Sequence, residues 1–563
     1  MLYRILFFII CFQSFSKEKI DSIYNYKIIE LNNIGSPVSS FFPNFDFDVL
    51  NINYGIINSR LIENYDHLFR YNDLTIIPDS NIQSNLKYIS SYNEGGLIMG
   101  SLHRPISNHS FINFYYNNLL SKGFFQYQEN KFSNLGLEWY RYNKDTTYIF
   151  RFAFKSINGF YQENGGIIYE PNLSNDLLNT YLTSSTIETK TRSFLFNQSY
   201  KFNSQNKLYH SFEYNDYNRL YSDPNPSSYH YSLTPFDFQI INYNRSTYFD
   251  DIKNKITINS NFFLKKQINY SIIHRLYFHE LISNNKYGDF IFSISNFNNY
   301  TSKYNFSLNF CPLGYNKNNY DFRFSYNYDF KDIKNKFNFV FFKKRPNIFL
   351  DTYYTGFSVD WENDFKSKKV FSLKTKTSFL RYNLDVNFDY NKINNFLYFN
   401  NLASAVQFNN TIDYFHLFIK KKWVITDRFK LYQNIHFQKT QYNDNVNFDI
   451  IPIPLFLFNQ KIKYDFFLFK KLEFSSSIDI TFHSKYYANR YMPLNGVFYN
   501  QDELKIGGKP FLQGAIFMKK KNFNIGVLIE NIHSLFFNEI YITPSYIHND
   551  LIFRLYIDWK FLD

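Results

Sequence analysis

Cysteine is almost missing from this sequence. The chain of 563 residues has two, Cys11 and Cys311, which excludes a disulfide framework and any cysteine-based zinc site. Cys11 lies in an apolar leader, and bulky Ile10 stands where a lipobox requires a small residue, which argues against lipidation. Glycine and proline are scarce, at 18 and 15. A sandwich or propeller of short strands would need more of both for its turns. No stretch after the leader approaches the roughly 20 apolar residues of a membrane helix. The best run, Ile450–Phe458, is interrupted by Pro452 and Pro454. Phosphate-cradling glycine loops, zinc-ligand spacings and nucleophile elbows are also missing. No enzymatic activity, cofactor or metal site is therefore expected. Gly165-Gly166 and Gly507-Gly508 read as loop turns. His274 and His279 are five apart, so on one strand they face opposite sides and make no metal pair.

What the chain has is aromatic surface. Phe (69) and Tyr (51) dominate, and hydrophobic residues make up 45%, yet mean hydropathy is negative. Much apolar surface is thus spread without long apolar runs. AT-rich codon usage inflates Phe, Tyr, Ile, Asn and Lys, so composition alone proves little. Net charge is +13, but the basic residues are scattered, which argues against nucleic acid. Residues 1–16 read as a secretory signal peptide. Arg4 is its basic start, Ile5 to Phe12 its apolar centre, and Ser14-Phe15-Ser16 its small-x-small cleavage site.

Period two then recurs along the chain. Leu551, Phe553, Leu555, Ile557, Trp559 and Phe561 alternate with a face that carries Arg554, Asp558 and Lys560. Alternate side chains of a strand point to opposite faces, and the run has the length of a tilted membrane strand. The same alternation places Arg151 and Lys155 opposite Phe150, Phe152 and Phe154. It places Arg323 and Asp329 opposite Phe322, Phe324 and Tyr326, and Asp385 and Asp389 opposite Leu384, Val386 and Phe388. A charge at mid-depth on a lipid face costs about 2–4 kcal/mol. These nine residues, Arg151, Lys155, Arg323, Asp329, Asp385, Asp389, Arg554, Asp558 and Lys560, are therefore expected to face a lumen. Lone histidines such as His436 and His483 are expected there too. Aromatics at strand ends read as interfacial girdles.

Connections alternate in length. Asn143–Asp145, Ser204–Lys207, Lys470-Lys471 and Lys519–Asn522 are short, whereas 157–191, 216–236, 484–510 and 532–549 are long. Outer-membrane barrels pair short periplasmic turns with long outer loops. The expectation is an all-β fold, a transmembrane antiparallel β-barrel of about 18–24 strands over 86–563. Residues 17–85 would form a mature N-terminal segment, periplasmic or packed in the barrel. Outer-membrane lipids surround such a barrel, and its aromatic C-terminal strand suits the machinery that inserts barrels.

Two stretches resemble the putative porins of Bacteroidota. One is Leu31-Asn32-Asn33-Ile34-Gly35-Ser36-Pro37. The other runs from Ser121-Lys122-Gly123-Phe124-Phe125 through Trp139 and Phe150 to Gln162-Glu163-Asn164-Gly165-Gly166-Ile167. The resemblance covers roughly the first third and implies an outer-membrane barrel engaged in passive transport, with no ligand residues attached. The expected function is diffusion of small hydrophilic solutes through a polar lumen. The alternatives are an active outer-membrane transporter, an envelope assembly barrel and a barrel hydrolase.

Overall fold

A computed structural model describes residues 82–562, apart from 91–93, 171–176, 204, 226–242, 261–266, 281–283, 297–302, 347, 355–358, 445–447, 470–471 and 538. The leader 1–16, the stretch 17–81 and the turn at Lys470-Lys471 lie outside the described residues. Twenty-two strands make one antiparallel sheet. Its first strand, Gln83–Ser90, pairs with its last, Ile552–Leu562, with Leu86 opposite Trp559. The sheet is thus a closed barrel. Lipid offers no hydrogen bonds, so a membrane sheet must close on itself. The count is even and falls within the range set by the sequence.

The wall is apolar outside and polar inside. In the strand Asn130–Tyr142, Leu135, Leu137 and Trp139 are exposed on one face, while Asn130, Asn134 and Glu138 on the other face are buried. Register carries each row around the barrel. Leu137 lies opposite Phe154, Phe154 opposite Phe194, and Phe194 opposite Tyr214. Exposed aromatics gather near one end of the wall, among them Tyr148, Tyr200, Tyr328, Trp423, Tyr464 and Trp559. Their rings suit the headgroup level of a membrane.

That end carries the short turns. Lys331-Asp332 joins Asn319–Phe330 to Ile333–Lys344, and Lys521-Asn522 joins Phe511–Lys520 to Phe523–Glu530. Lys331 and Lys521 both take φ of 50°, the left-handed region that tight hairpins require and glycine usually supplies. The shortage of glycine is met by lysine in solvent. Long connections (164–184, 345–367, 484–510, 531–551) all leave the opposite end. The loop expected over 157–191 is shorter than the sequence suggests. Its strands run on to Glu163 and resume at Ser185. Backbone pairing continues past the apolar belt, where outward positions turn polar at Asn158, Glu188 and Lys190. Polarity marks the edge of the membrane there, not the end of the strand.

Candidate functional site: a roofed outer mouth

The long loops do not stand away from the barrel. They fold across its outer mouth. Loop 484–510 carries a small hairpin, Arg490–Met492 paired with Val497–Tyr499. It turns at Pro493-Leu494-Asn495-Gly496, where Gly496 has φ of 68° and its N–H donates to the Met492 carbonyl at 2.9 Å. One side of this hairpin is held by the wall strands Tyr148–Glu163 and Lys207–Asp223. Arg219 donates from Nη1 to the Leu494 carbonyl at 3.0 Å and from Nη2 to the Pro493 carbonyl at 2.9 Å. The Tyr491 hydroxyl donates to Glu163 Oε1 at 3.3 Å. The other side is held by a distant part of the ring. The Asn500 N–H donates to the Phe399 carbonyl at 2.9 Å, and its side-chain amide donates to the carbonyls of Asp449 and Ile450 at 3.1 Å each.

An apolar cluster fills the space between these tethers. Tyr161, Ile187 and Tyr221 come from one wall, Leu397, Phe399 and Ala405 from the other, and Met492, Leu494, Val497 and Tyr499 from the hairpin. Close to half the strand ring separates the two walls. The cluster therefore bridges the mouth. Burial of each large side chain contributes about 1.5–3 kcal/mol, so the roof is a folded element and not a fringe of solvated loop.

Two further packings extend it. Tyr315 donates to Asp351 Oδ2 at 2.6 Å, with Arg345 at 3.5 Å from the same oxygen and stacked over the Tyr315 ring. Burial pushes the Asp351 carboxyl above its ordinary pKa, against the pull of Tyr315 and Arg345. Ile450 and Ile451 of loop 443–455 pack on Phe342, Val370, Ile393 and Ile412. On the far side, Gly166 (φ 101°) lies so close to Ser545 that a Cβ would meet the Ser545 Cβ at 2.6 Å, and the Ile167 N–H donates to the Ser545 carbonyl at 2.6 Å. All four glycines of the two expected turns have positive φ.

Loop 531–551 holds two buried imidazoles. Their rings lie 5.2 Å apart, His533 against His548, with Phe511 beside both. The Leu512 N–H donates to His533 Nδ1 at 3.2 Å. Burial lowers the His533 pKa to about 4. Burial, then the neighbouring His533 and His483, also pushes His548 well below its ordinary pKa. A depressed histidine pKa means that the folded loop holds the neutral ring. The stabilisation is complete above the ordinary histidine pKa near 6.5 and is lost as pH falls through about 4. Hydrogen exchange over 531–551, corrected for intrinsic rates, should therefore accelerate as pH falls from 6.5 to 4. A flat profile over that range would refute the coupling.

The nine charged residues expected from the sequence do not meet at one point. Arg151 is buried and paired with Glu138, and Lys155 is buried on the same strand face. Arg323 is exposed and donates to both oxygens of Asp321 at 2.9 and 3.0 Å. Asp329 is exposed opposite Lys334. Asp385 lies 3.3 Å from Lys376, and Asp389 lies 3.5 Å from His416, whose Nε2 is 3.0 Å from His436 Nδ1. Arg554 is 1% exposed and bonds Glu530 and the Ser90 carbonyl. Asp558 lies 3.9 Å from Lys87, and Lys560 is exposed opposite Asn85. Each occupies the strand face opposite an apolar row. Sequence reasoning missed Arg219, Glu163 and the Arg490–Tyr499 hairpin. Pro493 and Gly496 signal a turn within the loop, but nothing local says that it docks on a strand some 270 residues earlier.

A family model described as putative porin matches residues 14–563. Among curated proteins, none matches the sequence. Several solved barrels share the fold. The ferric-catecholate import receptor Fiu from E. coli, in a closed form, is 11% identical with a TM-score of 0.59, over 86% of this chain and 82% of that one. The FrpB iron transporter from Neisseria meningitidis is 11% identical with a TM-score of 0.63, over 87% and 83%. The copper transporter OprC is 9% identical with a TM-score of 0.63, over 86% and 84%. At such identities the likeness establishes the fold alone. The fold and the matched family place the chain in the bacterial outer membrane. The expectation of free diffusion through an open lumen is overturned: the solved barrels that share the fold are an import receptor and metal transporters, and the mouth of this barrel is bridged by packed loops.

Proposed function

The chain belongs to the putative porin family, and from that premise we propose that this member is an active, gated outer-membrane transporter. Its cargo would be recognised at the outer face and admitted when the roof moves. The observation that carries this reading is the Arg490–Tyr499 hairpin, tethered to opposite walls and embedded in an apolar cluster. A sieve for small solutes needs no such element. The solved proteins that share the fold, an import receptor and two metal transporters, support the same reading. The polar inner wall, with Arg151, Lys155, Arg323, Asp329, Asp385, Asp389, Arg554, Asp558 and Lys560, would line the path beneath the roof. On this reading the protein is a carrier and not an enzyme.

Planar-bilayer recording tests the proposal. The purified, folded wild-type barrel should show no steady conductance. Persistent open channels in every insertion would defeat the gated reading.

A further inference from the structure

The inner wall is not electrically even. Three strands near the short-turn end each contribute two lysines to it. Lys334 and Lys336 lie on Ile333–Lys344, Lys374 and Lys376 on Lys368–Phe379, and Lys420 and Lys422 on Ala405–Val424. Register puts all six on the inner face. Asp329 pairs with Lys334, Lys336 with Lys376, Lys374 with Asp389, and Asp385 with Lys420. The outward rows of the same strands are Phe337, Phe339, Phe371 and Phe415. Three carboxylates face these six lysines: Asp329 opposite Lys334, and Asp385 and Asp389 on the strand enclosed by the patch. Asp385 is 3.3 Å from Lys376, and Asp389 is shared with His416. Lys334, Lys336 and Lys420 are exposed and form no ion pair among the described residues.

A neighbouring region shows the contrast. Lys430 and Lys463 both reach Asp465, at 3.7 and 3.4 Å, and Lys461 reaches Asp479 at 3.7 Å. There the barrel answers its lysines with carboxylates. Lys430 stands directly opposite Lys463 there, as Lys336 stands opposite Lys376 in the six-lysine patch, and like charges opposite one another on a sheet repel. The first pair shares Asp465, whereas in the second only Lys376 reaches a carboxylate among the described residues. Exposed outward lysines would be explained by solubility alone. An inward patch at the lower end of a lumen is not, because its field is focused by low-dielectric walls. A second anionic group between these strands would remove the repulsion.

We propose that this patch is a binding site for an anionic solute, one that bears clustered carboxylate or phosphate oxygens. This deepens the transporter reading by assigning the charge class of its cargo, and it rests on that reading for physiological meaning. The site sits toward the short-turn end, so it would receive the solute after the roof and lower the barrier to exit into the periplasm.

The test is direct binding, independent of transport. Full-length protein in neutral detergent is titrated with inorganic pyrophosphate by calorimetry at about 0.01 M ionic strength, where screening is weak. Wild type should bind. The Lys336→Gln/Lys376→Gln double variant should bind about tenfold more weakly, and affinity should fall with added salt. Lys461→Gln, in the compensated region, serves as the comparison and should bind like wild type. A folding defect is separated by the heat-dependent gel mobility of each variant. If Lys336→Gln/Lys376→Gln fails that check, the charge-retaining Lys336→Arg/Lys376→Arg pair is used and should bind like wild type. No pyrophosphate binding by wild type, or equal binding by Lys461→Gln and the double glutamine variant relative to wild type, would overturn the site. Binding that follows the patch while wild-type channels stay open in bilayers would overturn the gated transporter and leave the site standing.

Discussion

Arg219→Met should open the roof. On intact cells, trypsin should cut the variant at Arg490 at least a hundredfold faster than wild type. Arg219 is 2% exposed and gives two charged hydrogen bonds to the hairpin carbonyls. Hydrogen bonds to charged groups contribute about 1.5–3 kcal/mol each, and a buried partner left unpaired costs about 1–3 kcal/mol. Two such losses shift a local opening equilibrium by two or more powers of ten. Arg490 is a fair reporter, since it begins the hairpin and its side chain is sheltered beside Glu503 in the closed form. Loss of Arg219 also removes a positive charge that favours the buried Glu163 carboxylate, which weakens the second tether through Tyr491. The same variant should flicker open in bilayers where wild type stays silent. If cleavage and conductance both match wild type, the hairpin is not held shut by Arg219.

Arg554→Ala should cost about 3–5 kcal/mol of barrel stability, the range expected when one partner of a buried ion pair is removed. Arg554 joins three strands at the seam where the sheet closes. Its Nε donates to Glu530 at 2.8 Å on the preceding strand, and its Nη1 donates to the Ser90 carbonyl at 3.1 Å on the first. The Leu555 N–H adds a bond to the Ser90 hydroxyl at 2.9 Å. Without the guanidinium, Glu530 is a buried charge without its partner. The Arg554→Met/Glu530→Leu double variant should be far closer to wild type, because replacing both charges by apolar groups removes the desolvation cost as well as the attraction. Urea unfolding in detergent, followed by gel mobility, measures both. A single variant that loses less than the double would contradict the account.

Much of the fold was legible in the sequence for a simple reason. A strand in a membrane wall writes its two environments into alternate residues, so Phe553, Leu555 and Trp559 against Arg554, Asp558 and Lys560 reveal both strand and sidedness without a partner in view. Turn length was legible for the same reason, because polarity breaks the alternation. The limits show where polarity and pairing part company, as at Asn158 and Glu188, where hydrogen-bonded strand continues through polar positions. The candidate site was not legible. Arg219 looks like any inward charge, and its partners Pro493 and Leu494 are far away in the chain. Free diffusion was expected because an alternating wall implies a polar lumen, and alternation says nothing about what lies across its mouth.

The sequence by itself determined a closed, even-numbered, outer-membrane barrel, because period two and the hydrogen-bond demands of lipid act residue by residue and along single strands. Only the tertiary structure decided that there are 22 strands, that the mouth carries a roof, and that scattered lysines converge on one wall. Strand number follows from where the last edge meets the first. The roof follows from contacts between loops hundreds of residues apart. The basic patch follows from register, since Lys336 and Lys376 are unrelated in sequence until pairing sets them face to face.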